Sequence, residues 1–169
     1  MKFPVHYAEF VTVTCLEWKF LLEDDNYKDV VIDSFRFMVK EERLTIFGFA
    51  LMSNHFHAIW QPTGDYRPAD IRRDILKYTS QTILNKMMSV ESPLVKELLV
   101  NAKDRKYQFW ERNSLCIPLW SDKVFYQKLD YIHMNPVKAG LCKNPEEYKY
   151  SSARSYILND QDWDFLSFG

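Results

Sequence analysis

The sequence lacks the excess of basic residues that is usual in proteins that bind nucleic acids. Its 169 residues include 22 Lys and Arg against 23 Asp and Glu, which gives a formal net charge of -1. Such proteins normally use a surplus of Lys and Arg to displace counterions from the phosphates. A nucleic-acid partner would therefore have to be held by local patches. Two segments, 66–78 and 133–156, each contain four basic and two acidic residues, and either could also be a solvated face.

Paired cysteines and long apolar runs are also missing. The three cysteines, Cys15, Cys116 and Cys142, are widely spaced and odd in number, which is typical of reduced thiols in a cytosolic protein. No apolar run approaches the roughly 18 residues of a membrane span, and the first residues contain no long apolar segment. We therefore expect a soluble, cytoplasmic protein with no membrane partner.

Hydrophobic residues make up 47% of the chain and aromatic residues 16%, which is enough to build a substantial core. The length suits one domain better than two, and there is no internal repeat or low-complexity linker. We therefore predict a single domain over residues 1–169.

The order of the predicted elements indicates the fold class. Alternating and apolar runs predict strands over 10–14, 44–51, 55–61 and 107–111, and helical spacing predicts helices over 27–42, from 68 onward and over 123–135. A short helix could begin at Ser92, residues 114–119 look extended, and Pro136 should end or kink the last helix. The order is β-α-β-β-α-β with a helix added. It predicts an α+β, ferredoxin-like antiparallel sheet with helices on one face and a central strand at 55–61.

Two histidines interrupt the apolar run of this central strand. Successive side chains of a strand point to opposite faces, so His55 and His57 should project on one side and Phe56 on the other. Two imidazoles on a hydrophobic strand need polar partners, and a divalent cation or a phosphate would satisfy both. The alternative is a half-buried strand whose histidines bond to neighbouring backbone groups.

The last predicted helix carries a tyrosine and an asparagine four positions apart. Tyr131 and Asn135 should therefore lie on one helix face and could present a phenol and an amide to one site. The alternative is an amphipathic helix that buries a tyrosine with its hydroxyl bonded. His133 points about 160° away from Tyr131 at 3.6 residues per turn. We expect it to serve packing or a phosphate contact.

Several short fragments follow one another in a particular order along the chain. They are Phe10-Val11-Thr12, Met52-Ser53-Asn54-His55-Phe56-His57, Asp70-Ile71-Arg72-Arg73, Phe109-Trp110-Glu111, Tyr131-Ile132-His133-Met134-Asn135-Pro136-Val137-Lys138-Ala139-Gly140-Leu141, Pro145-Glu146-Glu147-Tyr148 and Ser151-Ser152-Ala153. In this order and separation they resemble the REP-associated tyrosine transposases. That family is related to the single-tyrosine transposases of bacterial insertion sequences and belongs to the histidine-hydrophobe-histidine endonucleases.

The resemblance implies a ferredoxin-like fold and metal-dependent cleavage and joining of single-stranded DNA, often beside a hairpin. It implies that Tyr131 is the nucleophile and forms a covalent phosphotyrosine link. It also implies that His55, His57 and Asn135 bind Mg²⁺ or Mn²⁺. Monomers and homodimers both occur among such proteins, so the resemblance leaves the oligomeric state open.

Further residues are candidates for contact with DNA. The basic helix residues Arg72, Arg73 and Lys77 could bind phosphates, as could Lys138. Phe109 or Trp110 could stack on unpaired bases if exposed.

Two other functions stay open at this stage. A domesticated module could keep the fold and bind DNA without cleaving it, and the low net charge favours this reading. A metal-dependent hydrolase could use the histidines without a covalent intermediate. The competing tyrosines for a covalent link are Tyr126, Tyr148 and Tyr150.

Overall fold

A computed structural model describes residues 6–168. Its strands are β1 (Glu9–Thr14), β2 (Leu44–Leu51), β3 (His55–Pro62) and β4 (Leu115–Pro118), and its helices are α1 (Asp25–Lys40), α2 (Pro68–Ser89), α3 (Asp122–Lys138) and α4 (Ala153–Leu158). Short 3-10 helices span Leu16–Trp18, Pro93–Leu98 and Pro145–Glu147. No helix within residues 6–168 is long and apolar enough to span a membrane.

The four strands form one antiparallel sheet in the order β2-β3-β1-β4. The predicted α+β fold is confirmed, and β3 is a central strand as expected. In the β1–β3 register Thr12 lies opposite His57 and Thr14 lies opposite His55. Strand alternation therefore directs both histidines and both threonines toward the same face of the sheet.

The opposite face of the sheet carries the main core beneath α1 and α2. Phe56 and Trp60 of β3 are fully buried there and pack edge-on against Phe35 of α1, with ring centroids 5.6 and 6.0 Å apart. Ile71 and Ile75 of α2 complete this cluster. Phe56 thus points away from the histidines, as the sequence predicts.

The third helix covers the face that α1 and α2 leave open. Leu129 and Ile132 of α3 form a second buried cluster with Phe10 of β1 and Ile59 of β3. The side chain of Ser121 begins the helix by accepting a hydrogen bond from the backbone of Val124. The added helix therefore lies against the same face as the two histidines.

Of the two effects predicted for Pro136, an end or a kink of the helix, the first is wrong, since α3 continues to Lys138 and Pro136 is buried within it. The helix ends at Lys138, and two residues further on Gly140 takes a φ of +77°. The amide of Leu141 bonds to the carbonyl of Pro136, and that of Gly140 to the carbonyl of Val137. This pair of bonds is the Schellman termination, which needs a left-handed residue that glycine supplies without strain.

The predicted strand over 107–111 is also wrong, because the fourth strand is the extended piece at 115–118. Phe109 and Trp110 are buried, and the segment makes isolated bridges through Trp110 to Cys15 and through Tyr107 to Leu99. Its aromatic residues pack at the end of β1 instead of extending a ladder. A buried aromatic segment and a β-strand have the same local sequence pattern, because both are rich in aromatic residues.

A glycine sets how closely α3 approaches the sheet. A methyl group on Gly48 of β2 would lie 2.5 Å from Cδ1 of Leu129 and 3.2 Å from Oγ of Ser152. The strand has a bulge between Ile46 and Gly48. Only a residue without a side chain fits here at the observed separation.

We expect Gly48→Ala to lower the free energy of unfolding by about 1–3 kcal/mol, because the added methyl must displace the buried side chain of Leu129. Urea unfolding followed by circular dichroism measures this loss. Gly64→Asn is the matched control, since Gly64 has a φ of +57° that asparagine tolerates and no atom lies within 4 Å of an added side chain. Equal midpoints for the wild type and Gly48→Ala would contradict this close packing.

Candidate active site

Two imidazoles lie side by side on the open face of the sheet. The ring centroids of His55 and His57 are 4.8 Å apart, which confirms that they project together. His57 is almost completely buried, and His55 is partly exposed. The prediction from strand alternation is therefore confirmed in detail.

One nitrogen of each ring is held by a polar neighbour. Nδ1 of His55 donates to Oδ1 of Asn54 over 2.7 Å, and Nδ1 of His57 lies 2.8 Å from Oγ1 of Thr12. Nδ2 of Asn135 lies 3.3 Å from Nε2 of His57, and the Asn135 side chain also bonds to His55. In this arrangement the lone pair of Nε2 of His57 faces Asn135, and Nδ1 carries the proton.

The pKa values of both histidines are lowered, which favours the neutral imidazoles. Burial lowers the pKa of His57 to about 3, and repulsion from Lys128, and from His55 when it is protonated, acts in the same direction. Burial also lowers the pKa of His55, although its bond to Asn135 opposes the shift. A neutral imidazole with its second nitrogen bonded to a fixed partner is the form in which histidine binds metals.

Acidic ligands do not accompany these histidines. Among the described residues, no group of three or more His, Cys, Asp or Glu side chains could hold a metal ion. A third protein ligand would therefore have to be the amide of Asn135. Two imidazoles and an amide form an uncharged set that leaves room for oxygens from a substrate.

Tyr131 stands next to this cluster. Its ring centroid lies 5.5 Å from that of His57 and 5.9 Å from that of Phe10, both in edge contacts. The residue is 42% exposed, so solvent or a substrate can reach it. Tyr131 and Asn135 share one helix face, as predicted, and that face is turned toward the histidines.

Two lysines flank the tyrosine. Nζ of Lys128 and Nζ of Lys138 each lie 5.7 Å from the centre of the Tyr131 ring, and Lys128 also lies 5.0 Å from that of Phe10. Lys138 was predicted as a DNA contact and belongs to this site. Lys128 was missed, although its position three residues before Tyr131 places it on the same helix face.

The competing tyrosines have other surroundings. Tyr148 donates its hydroxyl to the carbonyl of Leu51, and burial raises its pKa to about 12. The hydroxyl of Tyr150 donates to Asp29 over 2.7 Å. Tyr126 precedes Tyr131 by five residues, which turns it about 140° away around the helix. Tyr131 is thus the tyrosine that α3 directs toward the histidines.

His133 contributes to packing, the first of the two roles that the sequence left open. It is buried, its Nε2 lies 2.7 Å from Oγ of Ser152, and burial lowers its pKa to about 4. Ser152 in turn accepts a hydrogen bond from the amide of Phe49 in β2. These contacts join α3, the segment before α4 and the sheet.

The basic residues predicted on α2 lie on the other side of the sheet. Arg72 is paired with the buried Glu9 at 3.0 Å, and Arg73 pairs with Asp70 and Asp74. Lys77 is exposed on the same helix. The structure therefore does not bring these three residues together with Tyr131.

Trp110 and Phe109 do not meet the condition of exposure on which their predicted stacking with bases depends. Both are buried, at 5% and 3% exposure, and Nε1 of Trp110 donates to Oγ1 of Thr79 in α2. Their rings pack against each other with centroids 4.6 Å apart. The two aromatics form part of the core, so their faces cannot receive a base.

Comparison with known proteins relates this arrangement to solved structures. No family model matches the chain, and no curated protein matches it. The structure of a REP-associated tyrosine transposase bound to a REP hairpin superposes with a TM-score of 0.69 at 17% identity, covering 100% of this chain and 93% of that one.

A second solved structure is a protein of Deinococcus radiodurans R1 provisionally named a transposase. It matches with a TM-score of 0.51 at 13% identity over 78% of this chain and 93% of that chain. At these identities the comparison establishes architecture. The chain has the fold of the REP-associated tyrosine transposases.

Proposed function

We propose that this chain is a transposase-type enzyme that nicks and joins single-stranded DNA, beside hairpins, through a covalent bond to Tyr131. The observation that carries the proposal is the exposed phenol next to the His57–Asn135 pair, with Lys128 and Lys138 on either side. The fold supports it, since the REP-associated transposase of similar structure was solved bound to a REP hairpin.

In the proposed reaction the oxygen of Tyr131 attacks the phosphorus of a DNA phosphodiester. A bond forms between that oxygen and phosphorus, the bond from phosphorus to the leaving sugar oxygen breaks, and this oxygen takes up a proton. The phenol gives its own proton to solvent. A hydroxyl from a second strand can reverse the step, because the phosphotyrosine link keeps the phosphate ester.

The two lysines have defined roles in this proposal. The positive charges of Lys128 and Lys138 beside the ring attract the DNA phosphate and would offset the negative charge that develops in the transition state. They supply locally what the net charge of -1 does not supply to the whole surface.

We further propose that His55, His57 and Asn135 bind Mg²⁺ or Mn²⁺. The fit rests on the two neutral imidazoles whose Nδ1 atoms are already bonded to Asn54 and Thr12. Asn135 would bind through its amide oxygen, so its amide group must turn over, since Nδ2 faces His57 here. When bound, a divalent ion polarises a phosphoryl oxygen and spreads the charge of the transition state.

A non-catalytic DNA-binding module is the second candidate. It is favoured by the absence of carboxylates among the described residues at the histidine cluster and by the net charge. Such a module has no need for a half-exposed tyrosine beside paired histidines. All the proposed site residues come from one chain, so neither candidate requires a second copy.

Tyr131→Phe should bind hairpin DNA about as well as the wild type but form no covalent adduct and no cleaved strand, because only the nucleophilic oxygen is lost. A labelled library of single-stranded hairpins in Mn²⁺, resolved on denaturing gels, measures the adduct. Tyr126→Phe is the control and should react normally. An adduct peptide that mapped to Tyr126, Tyr148 or Tyr150, or full cleavage by Tyr131→Phe, would refute the mechanism.

We expect His55→Ala, His57→Ala and Asn135→Ala each to weaken Mn²⁺ binding by about a hundredfold or more and to abolish or slow cleavage. The rise of the melting temperature with added Mn²⁺ should shrink accordingly, because a ligand stabilises only the state that binds it. His133→Ala is the control, since it removes a buried histidine of α3 that is not a proposed ligand. His133→Ala should lower stability yet keep the rise of the melting temperature with Mn²⁺. If His133→Ala alone lost this rise, the proposed metal site would be wrong.

Lys128→Ala and Lys138→Ala should each weaken hairpin binding and reduce the slope of log affinity against log salt by about one, as expected for one lost phosphate contact. Binding is measured in the Tyr131→Phe background to prevent cleavage. Arg73→Ala, an exposed arginine on the far side of the sheet, should change the slope little. A larger effect from Arg73→Ala than from either lysine would place the DNA on α2.

A further inference from the structure

An exposed tryptophan borders the histidine cluster on the side away from Tyr131. The ring centroid of Trp18 lies 5.7 Å from that of His55 in an edge contact, and the residue is 58% exposed. The four rings of Trp18, His55, His57 and Tyr131 thus follow one another in contact. One face of a large aromatic side chain is left to solvent at the edge of the proposed active site.

The backbone that presents Trp18 has an unusual conformation. Glu17 and Trp18 both take positive φ, at 53° and 57°, a region that bulky residues rarely occupy. The turn is held by backbone bonds from Cys15 to the carbonyl of Asn54 and from Trp18 to the carbonyl of Cys15, both 2.9 Å. Glu17 and Trp18 therefore keep a strained backbone in the turn that directs the Trp18 indole toward solvent.

Asn54 links this turn directly to the histidines. Its Nδ2 donates to the carbonyl of Trp18 over 3.4 Å, and its Oδ1 accepts from Nδ1 of His55 over 2.7 Å. The same side chain thus orients the first histidine and fixes the position of the tryptophan backbone. The Trp18 turn is therefore held in place by the same residue that orients His55.

The charges indicate which part of a DNA strand would meet Trp18. The lysines of the site, Lys128 and Lys138, lie at Tyr131. The turn itself carries the exposed Glu17, whose carboxylate pairs with Lys19 at 3.7 Å and whose amide donates to the carboxylate of Glu111. The carboxylates here outnumber the one lysine, which is already paired, and so disfavour a phosphate. A nucleobase carries no charge and offers a flat face to an aromatic ring.

We infer that Trp18 stacks on an unpaired base of the bound strand, on the other side of the histidine pair from the phosphate that Tyr131 attacks. This rests on the proposed function. Stacking on Trp18 would fix the strand relative to Tyr131 while the lysines hold its phosphates. Trp18 would then be a positioning residue that selects single-stranded DNA, because a base within a duplex is already stacked on its neighbours and cannot present its face.

The test uses a fluorescent DNA hairpin with randomised single-stranded flanks, bound to protein in the Tyr131→Phe background. Trp18→Ala should weaken binding about 5- to 150-fold, the range for loss of one stacked base, and Trp18→Phe should retain most of the affinity. Trp120→Ala is the matched control. Trp120 is 68% exposed, but it follows β4 at the end of the sheet where Pro118 pairs with Glu9, opposite the His55 end.

An abasic nucleotide placed at each flank position in turn identifies the stacked base. At one position the abasic change should weaken binding to the parent protein and have no effect on Trp18→Ala. Equal abasic profiles for both proteins, or unchanged affinity of Trp18→Ala, would overturn the stacking inference. Adduct formation by protein with an intact Tyr131 would still support the proposed function in that case, whereas absence of both binding and adduct would refute both.

Discussion

The packing of α3 against the open face of the sheet is the contact on which the site depends. Leu129 and Ile132 bury their side chains on Phe10 and Ile59, and Gly48 allows the helix to approach closely. Residues on one helix face keep fixed positions relative to such an anchor. The same packing therefore brings Asn135 and Tyr131 to His57. A displacement of the helix would separate a proposed nucleophile from its proposed metal site without changing any residue of either.

The central position of β3 explains how one strand can serve both the core and the site. Phe56 and Trp60 enter the main core, while His55 and His57 face α3. Burial on that second face lowers the pKa of both imidazoles, because an unpartnered charge is costly to bury. The neutral form that this favours is the form of histidine that binds metals. The polar groups that satisfy them come from the neighbouring strand and from the hairpin loop, so the histidines are oriented before any ion binds.

The distribution of charge resolves the conflict between a net charge of -1 and a proposed DNA substrate. Exposed charges act over roughly 8–10 Å at physiological ionic strength, so the two lysines at Tyr131 matter more to a phosphate there than the sum over the whole chain. Arg72 and Arg73 look equally suitable in the sequence. In the folded protein they are paired with Glu9, Asp70 and Asp74, which reduces their field.

The sequence by itself determined the features that depend on neighbours along the chain. Strand alternation placed His55 and His57 on one face, and helical spacing placed Tyr131 and Asn135 together, because both periodicities are properties of the local backbone. The order of elements then led to the correct fold class and to β3 as a central strand, although the fourth strand lies at 115–118 and not at 107–111.

Only the tertiary structure decided which surfaces are buried and which meet. Phe109 and Trp110 have the sequence pattern of a strand, yet they are core residues beneath the end of β1, since Thr79 and Cys15, far away in the sequence, are their partners. The separation of Arg72 from Tyr131 and the approach of Trp18 to His55 likewise depend on contacts between distant segments. Such contacts leave no periodic trace in the sequence, because the energy of burial depends on what the fold places on top of a residue.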